Sequence, residues 1–432
     1  MKVIPGRKKG LGFFLQLFVV YFLTSSYHLL AMKKKLIVGE FNESYPPLMD
    51  GVGQVVKNYS ECLINEHDYD VRVLTTISSK EIHLAKDDPE YVMRAVMHPV
   101  PGLGPYGIVT FPDGLKKKIN EIDFDIIHTH SPFFLGQFAE KNVKRRRIPL
   151  VTTFHSQFKK DIKAFTKSDM LAGLVTKYLI KHYNKADAVL VPNTNSVDVL
   201  RSYGYKGDVR ILLNATDMKV PAEEDLEKQR IDGYDLIKRI KLSPPPTNKP
   251  ILLFIGQHRE EKNLSLLMNS LRKLKDRNIP FYMVFVGEGP GKKQYEEMVE
   301  NLKLSEDVVF LGKITDRYLI KCLYAISTLF LFPSLYDTSS LVPREASAYS
   351  LPLIYINGAA TAEGIIDGEN GFLSENNADA YSKKIEEVLL NKEIRTKAGV
   401  GAKKLLYRSF SDAADDVSNI YQELIEKYSK MN

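Results

Sequence analysis

The 432-residue chain has little cysteine, little excess charge and no dinucleotide fingerprint. Its two cysteines, Cys62 and Cys322, lie far apart in helix-like segments, which excludes a disulfide framework or a Cys-rich metal site and fits a reduced compartment. Sixty Lys+Arg against 53 Asp+Glu leave a net charge of only +7. The basic runs, Lys144-Arg145-Arg146-Arg147 and Lys159, Lys160, Lys163 and Lys167, come with no recognised nucleic-acid fold or motif, so nucleic acid is not expected as a partner. The first strand, "KLIVGEFNESYPP", is not followed by G-x-G-x-x-G, and no obvious acidic residue ends the second. Both absences weigh against a nicotinamide-dependent oxidoreductase.

What is present is ordinary globular composition, 44% apolar and 26% charged, at a length that allows two domains with separate cores. Residues 1–32 differ from the rest: Lys2, Arg7, Lys8 and Lys9 precede the charge-free "GLGFFLQLFVVYFLTSSYHLLAM", and Lys33-Lys34-Lys35 follow it. Three readings compete. A cleaved signal peptide lacks a clear A-x-A site; an N-terminal anchor is long enough but has basic residues on both flanks; a start at Met32 makes the segment an extension outside the domain.

From Lys34 onward strand and helix alternate. "KLIVGEF", "YDVRVLTT", "FDIIHTH", "PLVTTFH", "AVLVPN" and "VRILLNATD" read as buried strands, with an amphipathic helix from about Gln54 to Glu66 after the first. Residues 219–249, charged and ending in "SPPPTNKP", read as a linker. Alternation restarts with "PILLFIG", "FYMVFVGEG", "VVFLGKI", "STLFLFPS" and "LPLIYIN", and a last helix, "AADDVSNIYQELIEKYS", closes the chain. The expected architecture is two Rossmann-like doubly wound domains facing a cleft, with ligands at the carboxyl ends of the strands. The expected division is 33–218, linker 219–249, 250–412, and a helix over 413–432 that packs back on the N-terminal domain.

Strand ends carry the candidate residues. In "FIGQHREEKNL", Gly256 and Lys262 flank a loop that opens a helix, a place suited to a diphosphate, although a solvated surface lysine would look the same. "FVGEGPG" is a second glycine-rich strand-to-helix turn. "YDTSSLVPREASA" sets Asp337 and Glu345 eight positions apart across a small-residue turn. Two readings stand for Glu345: a carboxylate favoured by a helix start near Pro343, or an acceptor for the two hydroxyls of a ribose. His130 and His155 each end a strand; His128 is expected on the opposite face of its strand from His130.

The ordered set "DGVG", "DIIHTHSP", "VTTFH", "ADAVLVPN", "LLNATD", "GQHREEKNL", "VGEGPG", "VVFLGKI" and "FPSLYDTSSLVPREASA" resembles the GT-B glycosyltransferases of family 4 from about Lys34 to Tyr428. The resemblance implies retaining transfer of a hexose from a nucleotide-diphosphate sugar, UDP-linked by preference, to a lipid, lipid-linked or glycan hydroxyl. It implies that Lys262 and the amides near Gly256 hold the diphosphate and that Glu345 holds the ribose. Asp337 with Thr338, Ser339, Ser340 and Leu341 would meet the transferred sugar, and main chain at Lys313 and Ile314 the base. Gly51 and Gly53 would admit the phosphates to the N-terminal half, and His130 would sit at the reacting centre.

Two departures stand out: Asp337 replaces the usual glutamate, and Gln257 stands where an arginine is usual, with Arg259 two residues on. They support one rival reading, a non-catalytic scaffold that has lost donor binding. Gln257, Arg259 and His155 are further site candidates. No Asp-x-Asp motif stands at a strand end, so the expectation is a metal-independent enzyme without a cofactor, Lys262 and amides supplying the electrostatics. The basic, partly apolar stretch with Phe158, Phe165, Met170 and Leu171 suits an anionic membrane surface, or else is a solvated helix face. The expected location is the cytoplasm, at the cytoplasmic face of a membrane.

Overall fold

The computed structural model describes residues 35–48, 50–100, 107–155, 158–241, 249–335 and 340–431. Asp337, Thr338 and Ser339, the segment 1–34 and the side chain of Phe165 lie outside the described residues.

Eight strands form the first sheet: β1 (Ile37–Phe41), β2 (Asp70–Ser78), β3 (Val92–Pro99), β4 (Gly107–Thr110), β5 (Ile126–Thr129), β6 (Leu150–Thr153), β7 (Ala188–Val191) and β8 (Arg210–Ile211). Their order is β4-β3-β2-β1-β5-β6-β7-β8, parallel throughout except for the antiparallel β3–β4 pair at one edge. Helices α1 (Gly51–Glu66), α2 (Leu115–Glu121), α3 (Phe134–Arg146), α4 (Phe158–Thr166), α5 (Asp169–Tyr183) and α6 (Thr194–Ser202) cover it. Strands β1, β5, β6 and β7 are buried nearly end to end, which is why they read as unbroken apolar runs rather than alternating ones.

The segment expected as a plain linker holds a helix, α7 (Glu223–Lys241). Its composition is charged, yet Ile237 is fully buried and Gln229 nearly so. At Gly233 the helix lies so close to a neighbour that a Cβ there would stand 2.6 Å from the Cys322 carbonyl oxygen. That contact joins α7 to the core of the second domain.

The second sheet has six strands in the order β11-β10-β9-β12-β13-β14: β9 (Ile251–Ile255), β10 (Tyr282–Val286), β11 (Val308–Phe310), β12 (Leu329–Phe332), β13 (Leu353–Ile356) and β14 (Phe372–Ser374). Helices α8 (Leu264–Asp276), α9 (Lys292–Asn301), α10 (Arg317–Ile326), α11 (Val342–Ala348), α12 (Ala378–Leu390) and α13 (Lys392–Leu405) flank it. Cys62 and Cys322 are both free, on α1 and α10.

The last helix, α14 (Phe410–Ser429), opens on a capping box formed by Ser409 and Asp412. Its apolar stripe, Phe410, Ala413, Ala414, Val417, Tyr421 and Leu424, recurs at helical spacing and is buried against Val55, Val56, Tyr59 and Leu63 of α1. At about 1.5–3 kcal/mol per fully buried large apolar side chain, this stripe alone holds the chain terminus on the first domain.

Candidate active site at the strand ends

In the second domain the carboxyl ends of β9, β10 and β11 are stitched into one surface. The Gly256 amide donates to the Val286 carbonyl at 3.0 Å, and the Gly287 amide to the Gly312 carbonyl at 2.8 Å. Gly287 has φ +128° and a Cβ there would lie 1.9 Å from the Gly256 oxygen, so only glycine fits. His258 and Glu288 pair their main chains at 3.0 Å, which draws the loop bearing Gln257, Arg259 and Lys262 over the same surface. Lys262 ends a 3-10 turn, and Asn263, at φ +57°, starts α8 directly behind it. Gln257 and Arg259 are exposed, Lys262 is partly buried. The His258 ring is fully buried among Phe254, Phe285, Tyr295 and Phe310. Among the described residues neither of its ring nitrogens has a hydrogen-bond partner, and burial lowers its pKa.

Lys313 is exposed and Ile314 half-buried just after β11, beside Gly312. Ser340 and Leu341 lead into α11, where Glu345 is buried. Glu345 is already bonded on both oxygens: Arg317 donates to Oε1 at 2.9 Å and the fully buried Tyr324 hydroxyl donates to Oε2 at 2.8 Å. Arg317 also donates through Nε to Asp217 at 3.1 Å; burial works against its charge, but the two carboxylates together outweigh it and hold its pKa up. One lone pair on each Glu345 oxygen remains, the number a ribose diol needs.

In the first domain Asp50 caps α1 by accepting from the Gly53 amide at 2.7 Å. A Cβ on Gly53 would press on Ser44 and Tyr45 backbone at 3.1–3.3 Å, so this glycine serves close packing. Gly51 has nothing within 4 Å of its Cβ position and sits at an open helix N-terminus, a place that admits an anion.

His130 is buried, and both ring nitrogens are taken: Nε2 lies 2.7 Å from Glu40 Oε2 and Nδ1 lies 3.0 Å from His155 Nε2. His128 overturns the expectation of an opposite face. Residues i and i+2 of a strand share a face, its ring centroid is 4.1 Å from that of His130, and it reaches Tyr421 of α14 at 2.6 Å and Thr153 at 2.7 Å. Tyr421 donates to Glu40 Oε1 at 2.7 Å. Burial pushes the Glu40 carboxyl up to about 8, against a smaller lowering from the Tyr421 bond, and pushes His130 down to about 3. A neighbouring carboxyl, Glu43, accepts from the Leu135 amide at 2.7 Å and from Ser131, and burial raises it to about 7.

Glu40, His128 and His130 are the His and carboxylate group that, among the described residues, stands close enough to share a metal ion. Glu40 and His130 are hydrogen-bonded, at 2.7 Å between Nε2 and Oε2, a separation shorter than that of two ligands each ~2.0–2.2 Å from a tetrahedral ion; His128 bonds to Tyr421 and Thr153.

Sequence reasoning missed Glu40, Tyr421 and Arg317. The signal for Glu40 was available, since a carboxylate inside the apolar run "KLIVGEF" has to be bonded. Tyr421 lies 381 positions away and no local pattern connects it. The cleft is bridged at its lip by Glu363, whose carboxylate accepts from the Thr194 and Asn195 amides at the start of α6, at 2.7 and 2.9 Å.

Two halves of parallel-sheet topology with these strand-end turns agree with two family descriptions: Glycosyltransferase Family 4 matches residues 49–220, and Glycosyl transferases group 1 matches residues 238–405. The chain belongs to these GT-B glycosyltransferases and is an enzyme of that class. It is similar to the alpha-monoglucosyldiacylglycerol synthase of Acholeplasma laidlawii, 22% identical over 407 residues that cover 91% of this chain and 98% of that one. Among solved structures, sucrose-phosphate synthase from Thermosynechococcus elongatus matches at TM-score 0.70 and 18% identity, covering 91% of this chain and all of the other. HepE of Anabaena in complex with UDP and glucose matches at TM-score 0.67 and 15% identity, covering 90% and 99%.

Proposed function

We propose that the protein transfers a hexose from a UDP-sugar to the hydroxyl of a lipid or lipid-linked acceptor, with retention and without a divalent ion. The observation that carries the donor half is the floor made by Gly256, Gly287 and Gly312 at three adjacent strand ends, with Lys262 and the buried Glu345 beside it. The Gly256 and Gly287 amides hold the floor together; a diphosphate over it would meet Lys262, and its developing charge would be stabilised by a group already positioned. Asp337 and the turn after it belong to this reading as the sugar-binding segment.

Support for a lipid acceptor comes from the Acholeplasma relative, named as a glycolipid synthase, and from the surface of α4 and α5. Met170, Leu171, Leu174 and Tyr178 are exposed there, next to exposed Lys160, Lys163, Lys167, Lys177 and Lys181. Phe158 does not join this face, being buried in the core. Apolar side chains among lysines suit an anionic bilayer surface. Among the described residues no helix is long and apolar enough to cross a membrane.

Turnover of UDP-glucose, UDP-galactose and GDP-mannose with diacylglycerol in phosphatidylglycerol vesicles, with and without EDTA, tests the reading. Expected is turnover of a UDP-sugar, unchanged by EDTA, with an α-anomeric product. Stabilisation of the protein by NAD and by none of the nucleoside diphosphates would overturn it.

A further inference from the structure

His130 cannot itself bond a substrate through its ring, because Glu40 and His155 occupy both nitrogens. The chain of bonds ends at His155, whose ring is partly exposed just after β6. Its Nε2 faces His130, and its Nδ1 is not used in that bond.

Proton counting fixes the directions. Tyr421 gives its one proton to Glu40 Oε1, so its oxygen accepts from His128 Nδ1–H, and His128 Nε2 accepts from the Thr153 hydroxyl. Only Oε2 is left for a proton of Glu40's own. With that proton in place, Oε2–H donates to His130 Nε2, His130 Nδ1–H donates to His155 Nε2, and His155 shows Nδ1–H. Without it both bonds reverse: His155 Nε2–H donates to His130 Nδ1, His130 Nε2–H donates to Glu40, and His155 shows a lone pair. The covalent frame is the same in both forms; they differ by one proton.

We propose that Glu40, held by Tyr421 of the C-terminal helix, decides through His130 whether His155, already a candidate for contact with the nucleotide sugar, offers it an N–H or a lone pair. This rests on the reading of the chain as a nucleotide-sugar transferase. An N–H donor is the form that suits a phosphate or sugar oxygen, so the active form is the one with Glu40 protonated. His155 is then a catalytic residue; Glu40, His130 and Tyr421 are positioning residues. Facing Glu40 are His128 of β5, His130 just after it and Tyr421 from α14, with Tyr59 of α1 beside His130 at 6.3 Å between centroids. Among the described residues Glu40 has no Lys or Arg ion pair; its salt-bridge contacts are the two histidines. Burial keeps Glu40 protonated at neutral pH, and it likewise keeps His128, His130 and His155 neutral.

The test uses the full chain labelled with ¹⁵N-histidine and long-range ¹⁵N–¹H spectra, which report the tautomer of each ring. Expected is His155 as Nδ1–H at pH 7, passing together with His130 to Nε2–H as the pH is raised past 8. Glu40→Gln, whose amide donates as the protonated acid does, should hold His155 as Nδ1–H across that range. Tyr421→Phe should move the transition to higher pH. A wild-type His155 that keeps one tautomer throughout, or a Glu40→Gln chain that converts as the wild type does, overturns the relay. Adding UDP-glucose should shift the His155 ring signals, and His155→Ala should lower turnover by about 100-fold, the low end for a positioned proton donor. Binding of UDP-glucose that leaves the His155 signals in place overturns the contact. If no nucleotide sugar binds or reacts, the transferase reading and the assigned contact fall, while the tautomer spectra still decide the relay.

Discussion

Glu345→Ala and Glu345→Gln separate the bridge to Arg317 and Tyr324 that the structure shows at this carboxylate from the ribose contact proposed for it. Alanine leaves the Tyr324 hydroxyl, fully buried, without an acceptor, at about 1–3 kcal/mol, and removes a hydrogen bond to a charged group worth about 1.5–3 kcal/mol. Arg317 keeps Asp217 and can turn toward water, so its loss falls at the low end. The sum is about 3 kcal/mol, or a fall in Tm of roughly 6–12 °C for a unit of this size. Glutamine keeps the shape and one oxygen, and Tyr324 can reorient its proton; the expected cost to the fold is about 1 kcal/mol. On the proposed ribose contact, both variants lose its charged acceptor, so UDP should bind roughly 10- to 150-fold more weakly. Thermal unfolding and calorimetric titration with UDP read the two roles separately. A Glu345→Gln chain that binds UDP as the wild type does leaves Glu345 as a structural bridge only, and a Glu345→Ala chain with wild-type Tm removes the bridge as well.

Gly287→Ala puts a methyl 1.9 Å from the Gly256 oxygen at φ +128° and should cost more than about 3 kcal/mol; an unchanged melting curve would mean that the strand-end turns are not in contact. Stability should fall between pH 6.5 and 8. Glu40 and Glu43, raised from 4.5 to about 8 and about 7, contribute stability that is fully present below the unfolded value and lost as pH rises through the folded one. The histidines with lowered values contribute in the opposite sense, and only below 6.5. Glu40→Gln should flatten the fall in Tm at fixed ionic strength, and an equally steep fall would clear Glu40 of this role. Glu363→Ala removes the carboxylate from the α6 N-terminus and should raise KM for the donor roughly two- to five-fold, with a larger radius of gyration in solution; identical scattering and KM would show that the lip contact does not hold the cleft.

The parallel strands were legible because burial on both faces leaves them as apolar runs between turn residues, as in "PILLFIG" and "STLFLFPS". The β3–β4 edge pair was not, since Arg94 and His98 interrupt the first strand and Ile108 is exposed on the second. Helix α7 was hidden by its charge: its contact with α10 depends on Gly233, a residue that lowers helix propensity and was useful here only because the neighbouring backbone comes close. The glycines proposed for donor binding were visible as strand-end turns, but which of them needs to be glycine is decided by backbone proximity: Gly287 needs it and Gly51 does not. In the histidine cluster the sequence pointed to His130, which like His128 has no nitrogen to spare. The pairing that uses it up comes from Glu40 and from a helix at the other end of the chain.

That helix also decides what opening the cleft can break. The chain crosses between domains in three residues each way. Ala215 belongs to the first core and Met218 to the second; on the return, Tyr407 packs on the second core and Phe410 in the first. The two crossings are bonded side by side, the Thr216 amide donating to the Arg408 carbonyl at 2.9 Å and Thr216 pairing with Ser409. Two short, paired strands allow rotation and resist separation. Everything after residue 409 therefore travels with the first domain, Tyr421 included, so the Tyr421–Glu40–His130–His155 chain stays whole whatever the angle of the cleft. Among the described residues, the contacts that opening has to give up include Glu363 to Thr194 and Asn195, and Leu341 of the second domain against the first core. The proton relay is thus insulated from domain motion, and the donor-side turn that ends in Leu341 is not.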